Sequence, residues 1–152
     1  ATQAWDLGYT GSGVVIGIVE SFGFEVTHPD LMPNFNAARS QPGLFSSAHM
    51  TGVAGIAAAA GNNGIGVVGV AYDAQLTQSL IGSNQAIATA LLLHNDFNDV
   101  KNNSWGPTDN GRLDPMPAVV NDALIESIAT GPVPFSVREA LEALEDETKE
   151  GS

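Results

Sequence analysis

Two residues of this 152-residue chain have the type and position for proton chemistry: Glu20, where an apolar run ends in a carboxylate, and His49, which opens a run of small residues. A carboxylate that holds one imidazole nitrogen leaves the other able to take or give a proton, which is the basis of general acid–base and assisted nucleophilic catalysis. By residue type alone, the same pair also reads as a solvated strand-end acid and a histidine in the first turn of a helix. His28 and His94 read as structural or solvated. The chain has no Cys, which excludes a thiol nucleophile, a thiolate zinc site and a disulfide framework and leaves the compartment open. The glycines of "GYTGSG" at 8–13 precede a strand and lack the G-x-G-x-x-G spacing, so they form a turn and no dinucleotide loop.

Charge narrows the partners. Five Lys and Arg stand against seventeen Asp and Glu, a formal net charge of −12, which argues against nucleic acid and anionic membranes and favours a cationic ligand or metal. The length suits one domain able to bury a core. No apolar run approaches the roughly 20 residues that span a bilayer, and no basic-then-apolar leader opens the chain, so a mature or excised soluble segment is expected.

The elements that must position Glu20 and His49 follow from apolar periodicity. A strand is expected over 14–19, with Glu20 just beyond its carboxyl end. Residues 34–47, rich in Pro, Gly, Asn and Ser, read as a long surface loop. Small residues predict a closely packed helix over 49–60, stopped by Gly61-Asn62-Asn63-Gly64. Strands are expected over 67–71, 75–81 and 100–105, with a helix over 84–94. Alternation of strand and helix predicts an α/β fold, a three-layer α/β/α sandwich on a mainly parallel sheet. The tail differs in kind: Phe135, Val137, Ala140, Leu141 and Leu144 recur at helical spacing, with Ser136 as N-cap and Glu139 as its capping-box partner. The expected organisation is therefore a domain over 1–134 followed by an acidic amphipathic helix over 135–152.

Three stretches, "GYTGSGVVIGIVESFGFEVTHPDL", "HMTGVAGIAAAAGNNGIGVVGVAYDAQL" and "NNSWGPTDNGR", together resemble the amino-terminal half of a subtilisin-like serine peptidase, nearest the kexin branch. The resemblance implies a subtilisin-like fold and peptide-bond hydrolysis by an Asp-His-Ser triad. It lays the acid on Glu20 and the histidine on His49. Three departures stand out: Glu replaces the family's Asp, the turn after it is one residue longer, and Met50 replaces the Gly after the histidine. An extra methylene displaces a carboxylate by about 1 Å, a misplacement that can cost about a hundredfold in rate.

The family's G-T-S-x-A nucleophile motif occurs nowhere in these 152 residues, and "PFSVRE" around Ser136 lacks the small residues that would replace it. The fold is thus expected to stop before the serine block. The resemblance also implies a structural calcium held by Asp30, Asn63 and the carbonyls of Gly61, Ile65 and Val67. Calcium takes oxygen ligands of these kinds, although an Asn-Gly turn accounts for the same loop. For substrate, it implies that Ser104, Trp105 and Gly106 pair with an extended peptide. Asp109 would receive a basic side chain, or else form the turn before Asn110-Gly111.

Two functional readings follow. One is a serine endopeptidase domain seen in part, secreted or periplasmic by resemblance, which acts on a peptide or protein and needs a second chain or C-terminal half for its nucleophile. The other is a catalytically dead subtilase-like scaffold that binds peptide or protein, or an engineered fragment. Neither involves nucleic acid or membrane.

Overall fold

A computed structural model describes residues 1–106 and 115–131. The expected tail helix over 135–152 and Asp109 lie outside the described residues. The elements are helix α1 (Thr2–Asp6), strand β1 (Val15–Glu20), helix α2 (Ala48–Ala58), strand β2 (Gln75–Leu80), helix α3 (Asn84–Leu92), strand β3 (Val100–Asn103) and helix α4 (Ala118–Thr130). Helices α1 and α4 were not expected from the sequence.

The three strands form one parallel sheet in the order β2-β1-β3. In β1, alternate side chains point to opposite faces. Ile18 shares one face with Leu76, and both are fully buried against Met50, Ala54 and Ala58 of α2. Burial of each such aliphatic side chain contributes about 1.5–3 kcal/mol. Gly17 and its neighbour Lys101 face the other way, toward α3, which packs with α4 around Leu91, Val120 and Ala123. The result is a three-layer α/β/α arrangement. Glu20 has the same parity as Ile16 and Ile18, so it faces the layer that α2 occupies.

The outer edge of β2 is covered rather than open. Main-chain N–H groups of Asn36 and Gln41 donate to the Leu76 and Gln78 carbonyls, each at 2.9 Å. The expected loop over 34–47 is therefore a strap on the sheet edge, with short 3-10 turns at Met32–Asn34 and Ala37–Arg39. Such cover removes the row of unpaired backbone groups that an edge strand presents.

One expected strand is absent. Residues 67–71 pair with no strand, because the N–H groups of 69–71 go to the end of α2 and that of Val67 to Asp30. Gly69, Val70 and Ala71 donate to the carbonyls of Ala59, Ile56 and Ala57, each at 2.9 Å. A Cβ on Gly69 would lie 2.5 Å from the Ala58 Cα, so only glycine allows the segment this close. These bonds satisfy carbonyls that a helix end leaves unpaired. They also explain why α2 stops at Ala58, before the Gly61-Asn62-Asn63-Gly64 turn.

Candidate active site

Glu20 is the last residue of β1, one position inside the strand rather than beyond it. Its main-chain carbonyl accepts from Ile81 N–H at 2.8 Å, which ties it to the exit of β2. The side chain is buried, and its Oε1 accepts a hydrogen bond from the Ser104 main-chain N–H at 3.0 Å. A charged acceptor makes this bond stronger than one between neutral groups. The Glu20 main chain is thus held at the exit of β2 and its carboxylate by the chain leaving β3.

His49 lies in the first turn of α2, which Ser47 caps: the Ser47 Oγ accepts from Met50 N–H at 3.1 Å. Thr51 ties this turn to the chain beyond β1, its Oγ1 accepting from Glu25 N–H at 3.0 Å. These bonds bring the imidazole over the strand end. His49 Nε2 lies 3.6 Å from Glu20 Oε1, with the histidine side chain 61% exposed and the glutamate side chain 6%. At that distance the two form an ion pair when His49 is protonated, just outside hydrogen-bond range.

Glu20, His49 and Ser104 therefore meet at the carboxyl end of the sheet, where open α/β folds place their sites. Beyond them, Asn102 Nδ2 donates to Ser104 Oγ at 2.8 Å and Trp105 Nε1 to Asn103 Oδ1 at 3.2 Å. Trp105 also packs against the α3–α4 cluster, and Gly106 is exposed. His28 sits apart from this group, its Nδ1 accepting from Asp30 N–H at 3.2 Å. His94 follows α3 in a left-handed conformation, φ 53°, and its carbonyl accepts from Phe97 and Asn98.

Asp30 and the loop expected to hold calcium do come together. Asp30 is buried; Oδ1 accepts from Asn63 Nδ2 at 2.7 Å and Oδ2 from Val67 N–H at 2.9 Å. The Asn63 hydrogen bond, more than any other contact, holds the Asp30 carboxyl below its ordinary range. Asn63 Oδ1 in turn accepts from Ile65 N–H at 3.0 Å. A carboxylate, a carboxamide and main-chain carbonyls are the oxygen donors calcium prefers, so the residues fit by type. No group of three or more His, Asp or Glu that could hold a metal exists among the described residues. A cation here would rest on Asp30 and would require the Asn63 amide to turn its oxygen inward.

Sequence reasoning missed two contributors to the site. Ser47 was readable as an N-cap, a Ser three residues before Met50 at the head of a helix. The Ser104 main-chain N–H was not readable, because any residue supplies one and only strand register selects it.

The subtilase family (Peptidase_S8) matches residues 11–143. Human neuroendocrine convertase 2 is 37% identical over 131 residues, covering 72% of this chain and 20% of that protein. Bovine furin is 33% identical over 147 residues, covering 85% of this chain and 18% of that protein. This chain thus spans about a fifth of the length of these curated relatives. A protease from Pseudoalteromonas arctica superposes with a TM-score of 0.68 at 25% identity, over 86% of this chain and 50% of that one. Fervidolysin from Fervidobacterium pennivorans, a keratinolytic enzyme related to subtilisin, superposes with a TM-score of 0.66 at 22% identity, over 88% of this chain and 22% of that one. With the family matched over most of its length and the fold shared with these enzymes, this chain belongs to the subtilase family, and its relatives include convertases of the kexin-like kind.

Proposed function

We propose that this chain carries the acid, the base and the substrate-pairing edge of a serine endopeptidase acting beside basic residues, and that it hydrolyses no peptide bond by itself. The observation that carries this reading is the convergence on Glu20: one oxygen both accepts the Ser104 N–H at 3.0 Å and lies 3.6 Å from His49 Nε2. In such a mechanism a serine oxygen attacks the scissile carbonyl and its proton passes to the imidazole, which later returns it to the leaving amine. Ser104, Trp105 and Gly106 would pair with the extended substrate, and Asp109 would receive its basic side chain. The nucleophile would come from a second chain or a carboxyl-terminal half bearing G-T-S-x-A, since these 152 residues contain no such motif. Without it the acyl-enzyme route is closed, and an acid and base acting without oxyanion donors forgo a factor of about a hundred to a thousand in rate for each donor. A compartment outside the cytoplasm accords with the convertase relatives.

A serine-directed fluorophosphonate tests this reading. The purified chain should remain unlabelled and leave a fluorogenic Arg-Arg peptide uncut, and both activities should appear when a polypeptide carrying the serine block is added. Labelling of the chain alone that disappears in Ser136→Ala would overturn it. Peptide binding with no activity on complementation would favour the catalytically dead scaffold.

Calcium belongs to the same proposal, as a structural ion on Asp30, Asn63 and the carbonyls of Gly61, Ile65 and Val67. An ion bound only by the folded chain raises stability by mass action. Tm should therefore rise across a millimolar calcium titration from a chelated baseline, and an unchanged Tm would remove calcium from the proposal.

A further inference from the structure

We infer that the groove between the chain leaving β1 and the strap before α2 takes an aromatic or branched aliphatic side chain of a peptide that carries a neighbouring cation. The groove holds about 550 Å3, within the range of sites that bury a ligand group. It opens beside the acid–base pair: one wall begins at Gly23, three residues after Glu20, and the other ends at Ser46, three residues before His49. Backbone pairing holds these walls side by side, as the Gly23 N–H donates to the Phe45 carbonyl at 3.1 Å and the Ser47 N–H to the Gly23 carbonyl at 3.0 Å. Buried Gln78 of β2 joins them again, its Oε1 accepting from the Phe24 N–H at 3.2 Å and its Nε2 donating to the Gln41 carbonyl at 2.8 Å. The walls are thus set before any ligand arrives, which lowers the ordering that binding must impose.

The lining sets the chemistry. Phe24 and Phe35 meet edge to face within it, their ring centroids 5.4 Å apart. Leu44 and Phe45 line it too, yet they are 89% and 73% exposed. A lone exposed apolar side chain needs no explanation, but two adjoining ones beside an aromatic pair mark a surface that a ligand covers. Charge selects what stands next to that ligand group. The Glu25 carboxylate lines the same groove, accepting from the Thr27 hydroxyl and, at 3.2 Å, from the Ser46 hydroxyl. The Thr27 contact first, and Ser46 after it, hold this carboxyl below its ordinary range. Among the described residues the one ion pair joins Glu20 and His49, so the Glu25 charge is left for a cation on the peptide. The inference rests on the proposed function in taking a peptide as the ligand; the preference for an apolar side chain rests on the groove.

The test needs no activity, because an uncut peptide reports binding alone. Fluorescence anisotropy with the whole chain compares fluorescein-labelled Gly-Phe-Arg-Phe-Gly, in which phenylalanine flanks the cation on both sides, with fluorescein-labelled Gly-Gly-Arg-Gly-Gly. The phenylalanine peptide should bind about tenfold more tightly, the lower end of what burial of one large apolar side chain supplies. Phe45→Ser and Leu44→Ser should each narrow that ratio, and Glu25→Gln should weaken both peptides alike. Equal binding of the two peptides, binding of neither, a ratio unchanged by both serine substitutions, or unaltered binding to Glu25→Gln overturns the inference. Leu44 and Phe45 are both exposed, so both variants should fold; if circular dichroism shows that Phe45→Ser does not, Leu44→Ser decides alone. A phenylalanine preference with failed complementation by the serine block would remove the proposed function and leave the groove standing. Successful complementation without that preference would do the opposite.

Discussion

Asp30 shows how a buried carboxylate is held by hydrogen bonds. Its two oxygens accept from Asn63 and Val67, and these bonds hold its carboxyl ionised below the ordinary range. A group whose folded pKa lies below its unfolded value of about 3.9 binds fewer protons when folded. Its stabilisation is fully present above that value and is lost as pH falls through the folded pKa. The native chain should therefore lose stability on acidification below about pH 4, and Asp30→Asn should flatten that limb in chemical denaturation followed by circular dichroism. Asp30→Ala leaves the Asn63 and Val67 donors without an acceptor and should cost about 1–3 kcal/mol at neutral pH. Glu20 differs, because its burial positions a contact with an exposed imidazole.

The elements are joined by contacts as specific as those in the site. Lys101 of β3 sends its Nζ under the ends of two helices, donating to the Leu91 carbonyl and, at 2.9 Å, to Asn95 Oδ1. Ser127 of α4 donates to both of the same acceptors, at 3.0 and 2.8 Å, so strand and helices share one polar cluster. Carbonyls at helix ends favour a cation there, yet burial lowers the Lys101 pKa to about 8, with nearby Asp96 opposing the shift. The sign is the reverse of a stabilising salt bridge. Between about pH 8 and the ordinary lysine value near 10.4, the unfolded chain holds a proton at this position that the folded chain has released. Stability should thus rise with pH across that window, by an amount reduced by partial solvent screening, and Lys101→Met should abolish the rise. Parallel urea titrations of the two proteins at several alkaline pH values measure the difference.

At the scale of the whole molecule, charge is the dominant property. A formal net charge of −12 on 152 residues produces a long-range attraction for basic peptides that salt screens over a Debye length of about 10 Å at 0.1 M. Association of an Arg-Arg peptide with this chain should therefore weaken between low and high salt, chiefly through a slower on-rate. Stopped-flow fluorescence with a labelled peptide reads that rate, and a salt-independent rate would show that recognition is local and apolar. Among the described residues no helix is long and apolar enough to cross a membrane.

Much of this was legible in the residues because its causes are local. The run 14–19 had to be a buried strand, the small residues from His49 onward a close-packed helix, and the alternation between them a parallel sheet, since periodicity of burial is set by backbone geometry within each segment. The family motifs likewise lie in contiguous stretches. Residues 67–71 show where local information ends: their apolar run suits a strand, but the carbonyls at the end of α2 took the N–H groups of Gly69, Val70 and Ala71 instead. Tertiary structure alone also decided which main-chain N–H reaches Glu20 and how near His49 stands to it. Both depend on the register of β3 against β1 and on α2 standing over the strand end, relations between segments far apart in the chain that no single stretch encodes.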